Sequence, residues 1–351
     1  MTLKTAIIGA GHIARQHLAC LRELPGVQIA GVCDLSRAMA ESAADRYGVA
    51  NWYTDHRRML EEAKPDVVHI TTPPPSHFSL SMDALNAGAH VIVEKPATVH
   101  YDDLLALTKH ARAKERVLLE DFNYVFNEQV QKVLALVKSG EFGAVTHVEA
   151  FICLDILSPG NAFVDPNVPH PALSMPGGAI ADFLTHLASL AHSFVGPHRA
   201  VRSVWTKRSD EHPLPSDEFR ALADCERGTA SLGFSAHTQP DVFWLRVYGT
   251  KMRAAANLFE PLLTIDRTHA GPRPFVPLRN GRQAAKDSRR AAYGGLWRKL
   301  SGGPGAYEGL WELVGRTYNA IEQNAEPPIT TQTIEDVNRL VADLKKQEYT
   351  L

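Results

Sequence analysis

A chain of 351 residues is longer than one hydrophobic core usually sustains, so two domains are expected, with a single large barrel as the competing arrangement. Apolar residues make up 44% and charged residues 22%, which excludes a disordered chain. With 37 basic against 39 acidic side chains there is no global field to draw nucleic acid or anionic lipid, and no apolar run is long enough to span a membrane.

From Leu3 to about Asp121 short apolar runs alternate with amphipathic stretches, the pattern of repeated βαβ units and a parallel sheet. Strands are expected at 5–8, 27–33, 66–70, 90–94 and 116–120, with helices at 13–23, 38–47, 76–87 and 102–114 between them. Beyond Phe126 the pattern changes. A helix at 128–138 and a strand at 145–151 precede a loop at 157–178, rich in proline, glycine and asparagine, and then a helix at 179–194. Apolar or β-branched runs at 202–207, 218–223, 229–235, 243–248 and 262–265 predict a mostly antiparallel open sheet, one face covered by helices and the other free for a partner. Residues 266–305 read as irregular, and helices at 307–323 and 331–346 close the chain. The fold class is therefore α/β, with an N-terminal Rossmann domain at 1–122 and a substrate-binding and oligomerisation domain at 123–351, the terminal helices returning to the first.

Cys20, Cys33, Cys153 and Cys225 lie far apart with no CxxC pair, which suggests reduced thiols in a cytoplasmic protein and neither a disulfide framework nor a zinc site. The start of the chain runs directly into an apolar strand and lacks the regions of a signal peptide.

The sequence Gly9-Ala-Gly11-His12-Ile13-Ala14 follows the first strand and enters a helix, which is the context a dinucleotide fingerprint requires. Gly9 permits the tight turn, Gly11 lets the backbone approach a pyrophosphate, and the helix start at His12 and Ile13 offers N–H groups to it. Asp34 ends the second strand 20 residues after Ala14, where its carboxylate can accept the adenosine ribose hydroxyls. That charge repels a 2′-phosphate, so NAD is favoured over NADP, with Ser36 and Arg37 near enough to moderate the preference; the competing reading of Asp34 is a helix cap.

Two further motifs stand at strand ends, Thr71-Thr72-Pro73-Pro-Pro-Ser76-His77 and Glu94-Lys95-Pro96. Ligands of open α/β sheets bind beyond the carboxyl ends of strands, so both motifs point to the nicotinamide end of a cofactor. Downstream, Asp182 and His186 lie four apart on one face of an expected helix, a pairing that alone is more often structural than catalytic. Together these residues resemble the Gfo/Idh/MocA family, which includes glucose–fructose oxidoreductase and inositol dehydrogenase. The resemblance extends through Cys33-Asp34, Phe122-Asn123-Tyr124-Val-Phe126, Gly177-Gly178 and Pro327-Pro328-Ile-Thr, and so covers nearly the whole chain.

What the resemblance implies is an NAD-dependent oxidoreductase acting on a carbinol or carbonyl of a sugar, cyclic polyol or sugar derivative, assembled as a homodimer or homotetramer through the second sheet. Lys95 then holds the reacting oxygen, His186 exchanges its proton, and Asp182 orients the substrate or the histidine. Thr72, Pro73, His77, Glu94 and Lys95 fall on the cofactor side and Lys95, Asn123, Tyr124, Asp182 and His186 on the substrate side, while Lys95-Pro96 is expected to be cis. Elementary chemistry agrees, because hydride loss from a carbinol requires loss of the hydroxyl proton. A histidine, with an ordinary pKa of about 6.5, suits that task better than a lysine at about 10.4. Two departures put the substrate in doubt. Tyr124-Val125 stands where many members carry arginine, and Ser189 where many carry aspartate after the histidine.

Other residues have bland readings beside functional ones. His77 caps a helix or meets the cofactor, Asn123 forms a turn or lines a pocket, and His170 sits in a loop whose solvent exposure is the expected state. His192 follows His186 by six residues and faces elsewhere, so no metal is expected. Trp205, Trp244, Trp297 and Trp311 read as packing residues before they read as a sugar platform. The basic run from Arg279 to Lys299 suits a surface loop, a clamp for an anionic sugar or an intersubunit arm, and lacks the aromatic platforms of a nucleic-acid site. A glycosidase, epimerase or lyase using NAD for transient oxidation is the alternative activity, and a non-catalytic NAD-binding regulator is a third.

Overall fold

The computed structural model describes residues 2–165, 170, 173, 175–212, 214–268, 272–301 and 307–348, with backbone alone for 295–301. The chain divides into two compact units, residues 1–122 with 310–335, and 123–309 with 336–351.

In the first unit β1 (Leu3–Ile8), α1 (His12–Glu23), β2 (Val27–Cys33), α2 (Arg37–Tyr47), β3 (Trp52–Tyr53), α3 (His56–Ala63), β4 (Val67–Ile70), α4 (His77–Asn86), β5 (His90–Val93), α5 (Tyr101–Ala113) and β6 (Leu118–Glu120) succeed one another. The six strands are parallel in the order β3-β2-β1-β4-β5-β6, the doubly wound arrangement. All four residues of β4 and the last four of β1 are buried, as expected of strands covered on both faces. Ile7, Val32, Leu18 and Ala44 form the core between β1, β2, α1 and α2. The stretch 48–65, where the sequence shows no clear period, contains β3 and α3. Asp55 caps α3, accepting the N–H groups of Arg57 and Arg58.

In the second unit α6 (Glu128–Lys138), β7 (Val145–Cys153), α7 (Gly178–Val195), β8 (His198–Thr206), β9 (Glu218–Cys225), β10 (Gly228–Ser235), β11 (Val242–Gly249), β12 (Met252–Asn257), β13 (Leu262–Arg267) and α8 (Val276–Ser301) follow. The last helices are α9 (Glu308–Glu322) and α10 (Thr331–Lys345). The seven strands run β13-β12-β11-β7-β10-β9-β8, with β7 and β10 parallel and every other pair antiparallel. Helix α7 lies across β7 and β10. On β9, Phe219, Ala221, Ala223 and Cys225 are buried while Arg220, Leu222 and Asp224 are exposed, a period-two pattern with one open face.

Two expectations need correction. Residues 266–305 are not irregular throughout, because α8 occupies 276–301. Its Gln-Ala-Ala-Lys and Arg-Arg-Ala-Ala segments favour helix, and Pro277 sits harmlessly in the first turn, but a mostly polar helix offers no apolar period to read. Strand β12, Met-Arg-Ala-Ala-Ala-Asn, escaped because alanine disfavours strands; pairing to β11 and β13 overrides that preference. The residues 166–169, 171, 172 and 174 of the expected loop lie outside the described residues, as do the side chains of Trp297, Arg298 and Lys299. No helix among the described residues is long and apolar enough to cross a membrane. All four cysteines are free and buried.

One buried anion organises the turn before β9. Asp217 is wholly buried and accepts the N–H groups of Arg208 and Ser209 and the Nε2 atoms of His212 and His237, at 2.8 to 3.1 Å. These three side chains are close enough to hold a metal ion. However, the N–H of Leu214 donates to Nδ1 of His212, so a neutral His212 carries its proton on Nε2 and serves Asp217 as a donor, not a metal as a ligand. Burial by itself raises the Asp217 pKa, but the hydrogen bonds outweigh it and hold the carboxyl below its ordinary value. A depressed carboxyl pKa adds stability above the unfolded value of about 3.9 that disappears as pH falls through the folded value. Asp217→Asn should therefore unfold about 2 kcal/mol more easily at pH 7 and approach the parent in stability below about pH 4 in urea titrations. A constant difference across that range would show that the charge contributes nothing.

Candidate functional site

In the first unit the site begins with a steric constraint. Gly9 has φ of +99°, and a Cβ there would stand 2.8 to 2.9 Å from the backbone of Thr71 and Thr72, so only glycine fits. Thr71 holds this approach with its hydroxyl, which donates to the carbonyls of Ile8 and Gly9 at 3.1 and 2.8 Å. At Gly11, the N-cap of α1, a Cβ would meet nothing within 4 Å, so the space a phosphate would use is open on the protein side. No side chain caps α1 and no acid stands in its first turn, which leaves the N–H groups at His12 and Ile13 and the positive helix end available to an anion.

Asp34 closes the turn from the neighbouring strand. Its Oδ2 accepts the N–H of Ala10 and its Oδ1 that of Ser36, each at 2.8 Å. The capping role falls to Ser36, whose hydroxyl accepts the N–H of Met39. A carboxylate has about four acceptor positions, so half-buried Asp34 keeps capacity for two ribose hydroxyls. The glycine turn, the open helix start and Asp34 thus fit an adenine dinucleotide.

The second strand-end group is built around His77. Its Nδ1 lies 2.8 Å from the carbonyl of Pro96 and its Nε2 2.6 Å from that of Thr72, so the ring sits between the two motif loops, and in its neutral form it donates to one of the two carbonyls. Burial lowers its pKa against the pull of these carbonyls. Thr72 pairs with Ser76 at 2.7 Å, and Lys95-Pro96 is cis. Glu94 is buried and accepts from His17 Nε2 at 2.9 Å, so it too is engaged within the unit. Glu120 accepts the N–H of Ala97 at 3.1 Å and fixes the loop after Lys95.

In the second unit Asp182 and His186 lie one turn apart on α7, Asp182 half-buried and His186 buried. The Tyr124 ring meets the His186 ring edge-on with centroids 4.7 Å apart, and packs on Phe243 at 4.8 Å. Where an arginine is usual in the family resembled, an aromatic therefore steadies the imidazole. Ser189 turns its hydroxyl back to the carbonyl of His186 at 3.1 Å. Oδ1 of Asn123 is buried with no hydrogen-bond partner among the described residues, an acceptor that a hydroxyl would satisfy. His170 is half-buried and stacks on Phe163 with centroids 4.2 Å apart, which corrects the expectation of solvent exposure. His192 lies 3.6 Å from Asp336. A groove of about 740 Å³ runs between α6, β13 and α8, lined by Lys132, Arg267, Arg279 and Arg290 with Glu128 and Asp287.

Sequence reasoning placed Thr71 in a motif without a role and missed Glu120 and the partners of Glu94. A signal existed only for His69, a polar residue inside the buried run Val-Val-His-Ile.

Residues 3–122 match the family model described as the oxidoreductase family with an NAD-binding Rossmann fold, and residues 130–255 match the Gfo/Idh/MocA C-terminal domain. A D-glucoside 3-dehydrogenase of Escherichia coli K12 is 33% identical over 144 residues, 41% of each chain. Glycosyl hydrolase family 109 protein 2 of Akkermansia muciniphila is 33% identical over 159 residues, 42% of this chain and 33% of that one. The chain thus spans less than half the length of these two relatives. Among solved structures, levoglucosan dehydrogenase in complex with NADH and levoglucosan has a TM-score of 0.81 at 19% identity, over 100% of this chain and 98% of that chain, a likeness of fold. With both domain models matched in order along one chain, the protein belongs to the Gfo/Idh/MocA family of oxidoreductases.

Proposed function

We propose that the protein is an NAD-dependent dehydrogenase or reductase of a sugar, a cyclic polyol or a sugar derivative. The carboxyl edge of the first sheet carries this reading, since the open glycine turn, Asp34 and Lys95 follow β1, β2 and β5 at the point where strand order reverses. Bound NAD would supply the hydride acceptor. Gly9, Gly11, His12 and Ile13 cradle its pyrophosphate, Asp34 takes the ribose and disfavours a 2′-phosphate, and Thr72 and Pro73 border the nicotinamide. Lys95 holds the reacting oxygen and stabilises charge on it, while His186 accepts the hydroxyl proton. Asp182 orients the histidine or the sugar, with Asn123 and Tyr124 as further sugar contacts. Exposed Val204 and Leu222 on the open face of the second sheet support a homodimer or homotetramer, and the free cysteines suit the cytoplasm.

A relative named as a glycosyl hydrolase matches at the same identity as the relative named as a dehydrogenase, which keeps alive a hydrolase or lyase that oxidises its substrate only transiently. A panel of sugars, inositols and aryl glycosides incubated with NAD separates the two. Net NADH should accumulate with at least one sugar or polyol. Glycoside cleavage without NADH release would establish the transient-oxidation reading instead.

Two substitutions test the roles. Lys95→Ala should lower turnover by roughly 10²–10³-fold while NADH binding, followed by fluorescence, stays within about twofold; near-normal turnover removes the lysine from the chemistry. Asp34→Ala should weaken NADH at least about tenfold, because it loses both the ribose acceptor and the partner of the Ala10 N–H. Unchanged NADH affinity in that variant would place the adenosine elsewhere.

A further inference from the structure

A chain of buried polar side chains in the first unit ends beside Lys95. Thr5 Oγ1 lies 2.8 Å from Tyr318 Oη, which lies 2.9 Å from His69 Nε2. His69 Nδ1 lies 2.8 Å from His17 Nδ1, and His17 Nε2 lies 2.9 Å from Glu94 Oε1. Glu94 is in turn hydrogen-bonded to Asp121, and the Lys95 charge acts on both acids. The two carboxyls meet because β5 and β6 pair in parallel, Val93 opposite Glu120, and the N–H of Asp121 donates to the carbonyl of Val93. Thr5, His17 and His69 are fully buried and Asp121 is 1% exposed.

With both imidazoles neutral, counting protons leaves two orders for this cluster. Each link needs one proton, and each neutral imidazole owns one N–H. If Glu94 is the carboxylate, His17 donates Nε2–H to it and accepts at Nδ1 from His69. His69 then accepts the Tyr318 hydroxyl at Nε2, and Tyr318 accepts that of Thr5. In the reverse order Glu94 is the acid, and with the same number of protons Asp121 becomes an anion facing it with no proton between them. Moreover, Oδ1 of Asp121 is buried without a hydrogen-bond partner among the described residues, which a neutral acid tolerates far better than a carboxylate. A cation in place of the proton, bound by His17, Glu94 and Asp121, would face the Lys95 ammonium.

We propose that Asp121 is a positioning residue for Lys95: a neutral carboxylic acid that donates to Glu94, so that of this pair only Glu94, pinned by His17, presents a negative charge beside the lysine. A second negative charge there would draw the ammonium back from the substrate oxygen. This rests on the reading of Lys95 as the oxygen-holding group. The groups facing Asp121 are Glu94 and Lys95 after β5, Glu120 on β6, and His17 and Cys20 on α1, with His69 on β4 and Tyr318 on α9 behind them. Burial and then the Glu94 charge push the Asp121 pKa well above the carboxylate range, whereas the contacts of Glu94 with His17, Lys95 and Asp121 outweigh its burial and hold it down.

The test uses the full chain. An acid whose pKa is raised by folding binds a proton that the unfolded chain has lost, so stability falls as pH rises from about 4 toward the folded value. Asp121→Asn keeps the donor without the proton, and its Tm relative to the parent should climb steadily between about pH 4 and 8. A flat difference over that range overturns the proposal, as does one equivalent of copurified metal that is lost in Asp121→Asn. For positioning, Asp121→Ala should lower kcat by on the order of tenfold to a hundredfold with NADH affinity unchanged, and asparagine should restore most of that loss. Asparagine no better than alanine shows that the charge of Asp121 is required and refutes the neutral acid. Failure of the underlying reading registers separately, as full turnover in Lys95→Ala with the pH-dependent Tm difference of Asp121→Asn intact.

Discussion

The first unit depends on a backbone contact with no room for a side chain, Gly9 against Thr71 and Thr72. That approach brings the end of β1 so close to the end of β4 that a threonine hydroxyl bridges two carbonyls of the turn. The turn therefore releases α1 at a fixed angle with its first N–H groups uncapped. Each anion placed at such a helix end gains about 0.3–1 kcal/mol from the dipole, and hydrogen bonds from the same N–H groups add to it. Rigidity is the larger benefit, because the donors are aimed before the ligand arrives.

Strand geometry then separates two adjacent charges. Side chains alternate beyond the end of β5, so Glu94 enters the interior toward His17 and Lys95 is left half-buried. Two acids and a lysine this close would be a costly group to bury if all were ionised, since unpaired buried charge is the most expensive feature a core can contain. Sharing one proton between Glu94 and Asp121 lowers that cost and leaves Glu94 as the charged member of the pair. The histidine chain supplies the remaining hydrogen bonds from α1, β4 and α9, which makes the C-terminal segment 310–335 a structural part of the first unit.

How legible this was depended on whether a residue announces its environment locally. Parallel strands β4 and β5 could be read because they are buried runs of mostly apolar residues, and β2 and α6 fall where the spacing placed them, whereas the two-residue β3 gave no pattern to read. Strand β12 and helix α8 could not, the first because alanine signals helix and the second because a polar helix has no stripe. Gly9, Gly11, Asp34 and Lys95 stand in motifs whose order along the chain carries the information. His17, His69, Asp121 and Tyr318 do not. Each is an ordinary polar residue in its own segment, and only the fold joins positions 17, 69, 121 and 318 into one hydrogen-bonded group. His77 shows a different limit. Its place in the motif left open a helix cap or a ligand contact, and only the fold shows that both nitrogens lie against backbone carbonyls.

If Asp34 takes the ribose as proposed, cofactor preference and fold stability are difficult to vary separately in this chain. Its carboxylate holds the N–H of Ala10, a residue only 4% exposed, and the proposed ribose contact would use its remaining acceptor positions. Replacing it with a small or basic residue, the obvious way to admit a 2′-phosphate, strands that buried N–H at a cost of about 1–3 kcal/mol unless another acceptor takes over. Ser36, whose own N–H also depends on Asp34, cannot both cap α2 and fill that place. On that proposed role, a change of cofactor calls for at least two coordinated substitutions, one for the phosphate and one for the turn, and the glycine turn sets the second requirement.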